Sequence, residues 1–368
     1  MKYVTFLIKE ESKTFPLYLC TMVETRQDIR KLTKQELKEF FVSQGDKAFR
    51  ANQVYEWLWQ KSATDFAQMT NLSKATREML EQHFTINNVE IGGQQKSSDR
   101  TIKSTMRLYD SNIVEGVLIP TTHRMTACIS SQVGCSLSCA FCATGKLERL
   151  RNLDASEIYD QVVLIKNQAE QEYDQPLTNI VYMGMGEPLL NYSNVLQSVE
   201  YITSPEGLGM SPKRITVSTA GIAKMIRKLG DDEVKFNLAL SLHAANDTKR
   251  NEIMPINETN TLEALREALK YYFAKTKNPV TYEYILFYNF NDSLEDAEEL
   301  YQFTRHLPCK VNIIEYNPVE DTPFSKADEG TLDKFAAYLD KRGVTVKVRR
   351  SRGKDIDAAC GQLAGKTK

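Results

Sequence analysis

Three cysteines, Cys135, Cys139 and Cys142, stand in "CSLSCAFCATG" at C-x3-C-x2-C spacing. Three thiols cannot all pair as disulfides, and they fall one short of the four ligands that close a structural zinc site. Zinc motifs usually bring a second short pair of Cys or His, and this chain has none in such spacing. An iron–sulfur cluster held by three cysteines would instead leave one iron open to a small ligand. A purely structural thiol cluster is the plainer alternative. The other cysteines, Cys20, Cys128, Cys309 and Cys360, are scattered. An odd total in irregular spacing predicts a reducing cytoplasm with functional thiols, not a secreted disulfide scaffold. An isolated cysteine is ordinarily a small buried hydrophobe, which is the reading for Cys20 and Cys309. Cys360, set between "DIDAA" and "GQL" just after a basic run, stands out from that pattern.

The polar residues that could accompany the cysteines fall just past predicted strands. Gly186 and Glu187 lie in "GMGEP" after "NIVYM", Ser218 ends "RITVS", Ser241-Leu242-His243 closes "FNLALSL", and Asn317 follows "KVNIIEY". With "VTYEYILF" and "ACISS" these make about six strands, alternating with helical patterns such as "SEIYDQVVLIKNQAEQ", "TLEALREALKYYFAK" and "LEDAEELYQFTRHL". Alternation of this kind implies parallel strands with right-handed crossovers. Six units are too few for a closed eight-stranded barrel, so the predicted fold is α/β, a partial (βα)6 TIM-like barrel. In parallel α/β folds ligands bind at the carboxyl ends of strands. Taken singly, "GMG" is common turn grammar and His243 an ordinary core or rim histidine; their convergence on one rim is the signal.

Upstream, "TKQELKEFFVSQG", "RANQVYEWLWQK" and "KATREMLEQHF" space apolar residues three or four apart, with Thr33 and Glu36 forming a capping-box pattern. "TIKSTMRL" and "IVEGVLIP" read as a hairpin joined by "YDSN". In the second strand Glu115 shares a face with Ile113, Val117 and Ile119, so it is either at a wet edge or has a chemical task. The domain boundaries expected are an N-terminal extension over 1–27, a helical accessory domain over 28–90, a hairpin linker over 91–120, the core over 121–350 and a C-terminal segment over 351–368. The leading residues resemble neither a signal peptide nor a domain; Met22 opens a more ordinary N-terminus, and residues 1–21 are expected to be dispensable.

With 368 residues, 42% hydrophobic and 26% charged, the composition is that of a soluble globular protein, and no apolar run reaches membrane-spanning length. A net charge of -1 excludes a protein coated in positive charge. It leaves room for a local patch: "KRGVTVKVRRSRGK", from Lys341 to Lys354, has seven basic and no acidic residues. That run is either a solvated strand and turn or a phosphate-binding surface.

C-x3-C-x2-C with Phe141 before its third cysteine resembles the radical S-adenosylmethionine superfamily. "SQVGCSLSCAFCATG", "RNL", "GMGEPLLNY", "ITVSTAGI", "SLHAAND", "MPIN" and "DIDAACGQL", in that order from about residue 28 onward, resemble the adenine C2-methyltransferases of large-subunit (23S) ribosomal RNA and transfer RNA. The resemblance implies a [4Fe–4S] cluster on Cys135, Cys139 and Cys142. It implies S-adenosylmethionine, two per turnover, bound by Gly186, Glu187, Ser218, Ser241, Leu242, His243 and Asn317. Carbon 2 of adenine is no nucleophile, so the family first methylates a cysteine, matched by Cys360, and activates that methyl group by a radical made from a second S-adenosylmethionine. The resulting protein–RNA thioether is resolved by a thiol matched by Cys128, through a transient Cys128–Cys360 disulfide, with Glu115 matching the proposed base.

The implied partners are 23S rRNA, tRNA and a reducing electron-transfer protein, and the implied setting is a cytoplasmic monomer with no membrane. The sister activity at carbon 8 of the same rRNA adenosine is the nearest alternative; Pro188 and Ala244 fit the C2 group better. A non-catalytic zinc protein that binds RNA is the alternative from another class. Arg100, Glu148, Glu315 and "FYNFND" depart from the family pattern, which puts loop geometry in question.

Overall fold

A computed structural model describes residues 26–365; the expectation for the leading segment, Cys20 included, falls outside them. The accessory region holds helices α1 (Lys34–Ser43), α2 (Arg50–Trp59) and α3 (Lys74–His83). α1 starts where Thr33 accepts from the Glu36 amide while Glu36 reaches back to Thr33, the reciprocal cap seen in the sequence pattern. Leu37, Phe41, Val54, Leu58 and Leu80 turn inward. The unit is pinned to the barrel by aromatic and ionic contacts. The Trp59 ring stacks on Tyr201 at 3.5 Å between centroids and meets Tyr159 edge-on. Buried Arg30 pairs with Asp160 at 2.8 Å and with Asp28.

One ten-stranded sheet carries the rest. Its first three strands, β1 (Glu90–Lys96), β2 (Ile102–Arg107) and β3 (Ile113–Thr121), are antiparallel. β3 pairs antiparallel with β4 (Arg124–Cys128), and from β4 onward every pairing is parallel. The order continues through β5 (Asn179–Tyr182), β6 (Ile215–Thr219), β7 (Asn237–Ser241), β8 (Val280–Leu286), β9 (Cys309–Glu315) and β10 (Thr345–Arg349). The crossovers are α4 (Ala155–Tyr173), α5 (Tyr192–Thr203), α6 (Ala223–Asp231), the pair α7 (Asp247–Ile253) and α8 (Leu262–Thr276), α9 (Leu294–Thr304) and α10 (Glu329–Asp340). This is the expected partial barrel, extended by a seventh parallel strand and an antiparallel wing.

Two differences from the sequence reading have physical causes. The first barrel strand ends at Cys128, not Ser131, because the chain leaves the ladder to follow the end of β5. The Ile129 amide reaches the Val181 carbonyl, and the Ser131 and Gln132 amides share that of Met185. Thr345–Arg349 of the basic run becomes β10, and the run's part-exposed charges are largely taken up by ion pairs. Arg349 pairs with Glu283 at 3.1 Å, Arg350 with Glu329, Arg352 with Asp99 and Lys354 with Glu315. It is structural before it is a phosphate surface.

Candidate active site

At the carboxyl ends of the barrel strands lies a cavity of about 220 Å³. Cys135, Cys139, Cys142, Gly186, Glu187, Ser218, Ser241, His243, Cys128 and Cys360 all line it. Leu242 and Asn317 stand behind this wall, and Glu115 faces elsewhere.

The three clustered cysteines leave the barrel on one loop after β4. The Cys142 amide turns back to the Cys139 carbonyl, the Ala140 amide binds the Ile253 carbonyl, and the Ala143 amide binds that of Gly361. The loop is thus fixed to both α7 and the C-terminal segment. Burial pushes the Cys135 thiol up to about 11 and raises Cys139 and Cys142 as well. Each of Cys135 and Cys139 also feels its clustered neighbours. As free groups they would stay protonated, so a cationic centre is what would hold them as thiolates. Among the described residues no three His, Cys, Asp or Glu side chains close round a single ion. A cluster that takes one thiolate per iron needs three thiols on one cavity, and Cys135, Cys139 and Cys142 all line this one.

The next strand ends supply polar groups. Gly186, at φ 94°, sits so close to Gln132 that a Cβ would come within 2.5 Å of its side chain. Only glycine permits this turn. Glu187 is buried; its carboxylate oxygens accept from the Leu189 and Ala220 amides at 2.9 and 2.7 Å, and burial raises its pKa. The Ser218 and Ser241 hydroxyls lie 3.3 Å apart. His243 occupies left-handed backbone, φ 57°, and its Nδ1 accepts from the Ile285 amide at 3.1 Å. Burial, then Arg250, pull its pKa down to about 3, so the imidazole is neutral. Leu242 contributes its carbonyl, which accepts from Arg250, and Asn317 donates to the Cys360 carbonyl at 3.2 Å.

Arg250 was hidden in the sequence. In "NDTKRNE" it looks like a surface residue of a short helix, yet it is fully buried. It donates to the carbonyls of Ala220, Ser241 and Leu242 and to Asn257, tying the ends of β6 and β7 together beside Cys139. Glu283 falls in a predicted strand and Arg349 in the basic run with its phosphate-binding alternative; neither setting foretells their pairing.

Cys128 and Cys360 come from distant parts of the chain and meet across this cavity. Both are free thiols. Burial raises Cys128 to about 12, and Cys360 adds to that rise. Burial raises Cys360 too, opposed by the Arg349 guanidinium. Cys309 is half-buried and remote, as a packing residue would be.

Glu115 is buried rather than at a wet edge. Its Oε2 accepts from the Ala364 and Gly365 amides at 2.8 and 3.0 Å, and Lys103 stands 3.5 Å from Oε1. It therefore clasps the segment that carries Cys360 from the side opposite the thiols.

The departures from the family pattern are accommodated locally. Arg100 takes φ 73°, which suits glycine, and is held by its guanidinium over the Tyr173 ring. In "FYNFND", Asn289 takes φ 54°, a conformation asparagine tolerates. The Glu148 carbonyl packs against Gly134. Glu315, almost fully buried, receives Lys326, Lys354 and the Ser351 amide at 2.6, 2.5 and 2.7 Å. Burial alone would raise this carboxyl; the two lysines and the amide overcome it and hold it near 2. The anchoring is therefore complete above the ordinary carboxyl pKa of 4.5 and lost as pH falls through about 2. Glu315→Ala at neutral pH should loosen the C-terminal segment and speed limited proteolysis at Lys354. Wild-type resistance should decline only toward pH 2.

Comparisons with known proteins place the chain in a family. Residues 27–86 match the model of the ribosomal RNA large subunit methyltransferase N-terminal domain, and residues 129–304 that of the radical SAM superfamily. The chain is 58% identical to a probable dual-specificity RNA methyltransferase RlmN of Christiangramia forsetii, covering 95% of this chain and 100% of that one. It is 43% identical to the dual-specificity RNA methyltransferase RlmN of Geotalea uraniireducens, over 92% of this chain and 97% of the relative. A crystal structure of a radical SAM methyltransferase from Sphaerobacter thermophilus superposes with a TM-score of 0.87 at 38% identity, over 92% and 100% of the two chains. The chain belongs to the RlmN family of dual-specificity RNA methyltransferases, within the radical SAM superfamily.

Proposed function

We propose that this enzyme methylates carbon 2 of an adenosine in the peptidyl transferase centre of 23S rRNA, and of the adenosine 3′ of the anticodon in some tRNAs. The observation that carries the reading is the meeting of Cys128 and Cys360 in the cavity lined by the cysteine trio. Cys135, Cys139 and Cys142 hold the [4Fe–4S] cluster. When bound, the cluster and S-adenosylmethionine supply the electron and the carbon-centred radical that activate a methyl group.

The chain's own groups do the rest. The rim from Glu187 to Ser241 receives the ammonium and ribose of S-adenosylmethionine through a carboxylate and hydroxyls, while neutral His243 and the Phe141 ring beside it form an apolar wall. Cys360 Sγ takes a methyl group, with Arg349 at hand to favour its thiolate. The activated methyl carbon then joins carbon 2 of adenine, and the adduct returns one electron, equal to the one supplied, and loses the carbon-2 proton to leave a closed-shell thioether. Cys128 Sγ attacks Cys360 Sγ; the sulfur–sulfur bond forms as the sulfur–carbon bond breaks, and the departing carbon takes a proton to become the product methyl group. Glu115, as the base for the carbon-2 proton, has first to be released from the Ala364 and Gly365 amides. Its role in the resting enzyme is to anchor the tail.

The RNA binds to the helical domain and the exposed Lys347 of β10, and a separate reducing protein delivers the electron to a monomeric enzyme. Among the described residues no helix is long and apolar enough to cross a membrane. Mass spectrometry of adenosines from cells with and without this protein tests the reading. Loss of 2-methyladenosine from rRNA and tRNA on deletion is expected; loss of 8-methyladenosine alone would overturn it.

A further inference from the structure

Among the described residues two arginines are buried, and the fold treats them differently. Arg30 lies between the carboxylates of Asp28 and Asp160. Arg250, with none of its surface exposed, donates only to neutral acceptors: the carbonyls of Ala220, Ser241 and Leu242 and the side-chain oxygen of Asn257. Burying a guanidinium is costly, and neutral oxygens satisfy its N–H groups without cancelling its charge. At neutral pH arginine does not escape by losing its proton. Tying two strand ends together needs donors but no charge, so the charge itself calls for a partner.

Cys139 is where that partner forms. Arg250 and Ile253 are three residues apart on the buried face of α7, whose last turn closes when the Met254 amide binds the Arg250 carbonyl at 2.8 Å. The Ile253 carbonyl accepts from the Ala140 amide at 3.0 Å, which holds the residue after Cys139 against this turn. Ile253 and Met254 belong to the apolar cluster on which the three cysteines pack. Burial lowers the pKa of Arg250, and Cys139, ahead of Asp247, opposes that fall. Asp247 is a weak counter-charge, since it is exposed and its Oδ1 already accepts from the Asn257 side chain and the Leu262 amide. His243 nearby is neutral and adds no second cation. Arg250 does not line the cavity, so its influence on the chemistry passes through Cys139.

We propose that Arg250 is a positioning residue that supplies the counter-charge of the iron–sulfur cluster and, through Cys139, raises its reduction potential. The inference rests on the reading that Cys135, Cys139 and Cys142 hold that cluster. Three thiolates bring an excess of negative charge to their loop, and reduction adds one electron more. A cation fixed in a dry setting favours the reduced form, so the reducing protein has a smaller gap to cross. The buried charge that burdens the protein before the cluster is in place becomes a gain once Cys139 binds as a thiolate.

The test reads the potential, not turnover. Anaerobically reconstituted holoenzyme is titrated with a reductant and followed by electron paramagnetic resonance, without S-adenosylmethionine or RNA. Wild type is compared with the Arg250→Met, Arg250→Gln and Arg250→Lys variants. Both neutral variants should be harder to reduce. At the wild-type midpoint their ratio of reduced to oxidised cluster should fall roughly tenfold, the scale of one charge in a protein site, or about 59 mV for one electron. Arg250→Lys keeps the charge but cannot reach all four acceptors, and it should stay within about threefold of wild type. Neutral variants with the wild-type potential would overturn the proposal. So would Arg250→Lys shifted as far as Arg250→Met, because the effect would then belong to the hydrogen bonds. Neutral variants that fail to fold even before reconstitution, judged by circular dichroism, would make Arg250 a strut alone and overturn it too. Wild type that takes up no iron would overturn the cluster reading itself, which separates the two failures.

Discussion

Cys360→Ala should yield no methyl-cysteine, no protein–RNA adduct and no methylated RNA, whereas Cys128→Ala should accumulate a covalent adduct that nuclease trims. The two thiols face one cavity, so a merely structural role would give both variants the same phenotype. The chemistry instead puts them in series. Without Cys360 there is no sulfur to accept the first methyl group, and turnover falls to background. Without Cys128 the carbon–carbon bond to the RNA forms, but no nucleophile breaks the carbon–sulfur bond that ties the methylene to Cys360. Losing one buried sulfur costs about 1 kcal/mol, near that of a methylene, so both variants should fold. The double variant should form no adduct. Because burial raises Cys128 to about 12, its thiolate fraction climbs about tenfold per pH unit through the neutral range. Release of RNA from a preformed adduct should quicken with pH accordingly. Glu115→Gln keeps an acceptor for the tail amides and should still permit methylation of Cys360, then stall after addition; Glu115→Ala should impair both. Full turnover by Cys360→Ala would end the scheme.

The sequence announced those residues whose chemistry is unusual for their surroundings. Three thiols in one loop, and polar residues at successive strand ends, stand out because apolar periodicity predicts something else at those positions. Arg250 could not be seen that way. A buried guanidinium is recognised by the carbonyls that surround it, and those come from Ala220, Ser241 and Leu242, on two other loops. Glu283 and Arg349 share the difficulty, since β8 and β10 become partners across β9 only in the folded sheet. Glu115 was correctly marked as out of place on an apolar face. Its actual contacts, the amides of Ala364 and Gly365, lie some 250 residues away.

Cys139→Ala should lose its cluster and, with it, reductive cleavage of S-adenosylmethionine down to background. Cys139 carries this test because it is the middle thiol of the trio, buried and flanked by Cys142 and Cys135. Wild type reconstituted anaerobically should be brown, hold four irons and cleave S-adenosylmethionine once reduced. Cys139→Ala should come out pale and low in iron, since two thiolates from one loop make a poor cluster site. Cys309→Ala, remote from the cavity, and Cys360→Ala, outside the trio, should both keep their iron. That contrast separates ligation from a general loss of fold, and circular dichroism should show the barrel intact throughout. Stoichiometric zinc without iron in wild type would refute the radical mechanism. It would demand a fourth ligand, and no three of the side chains able to supply a closed shell gather about one ion among the described residues.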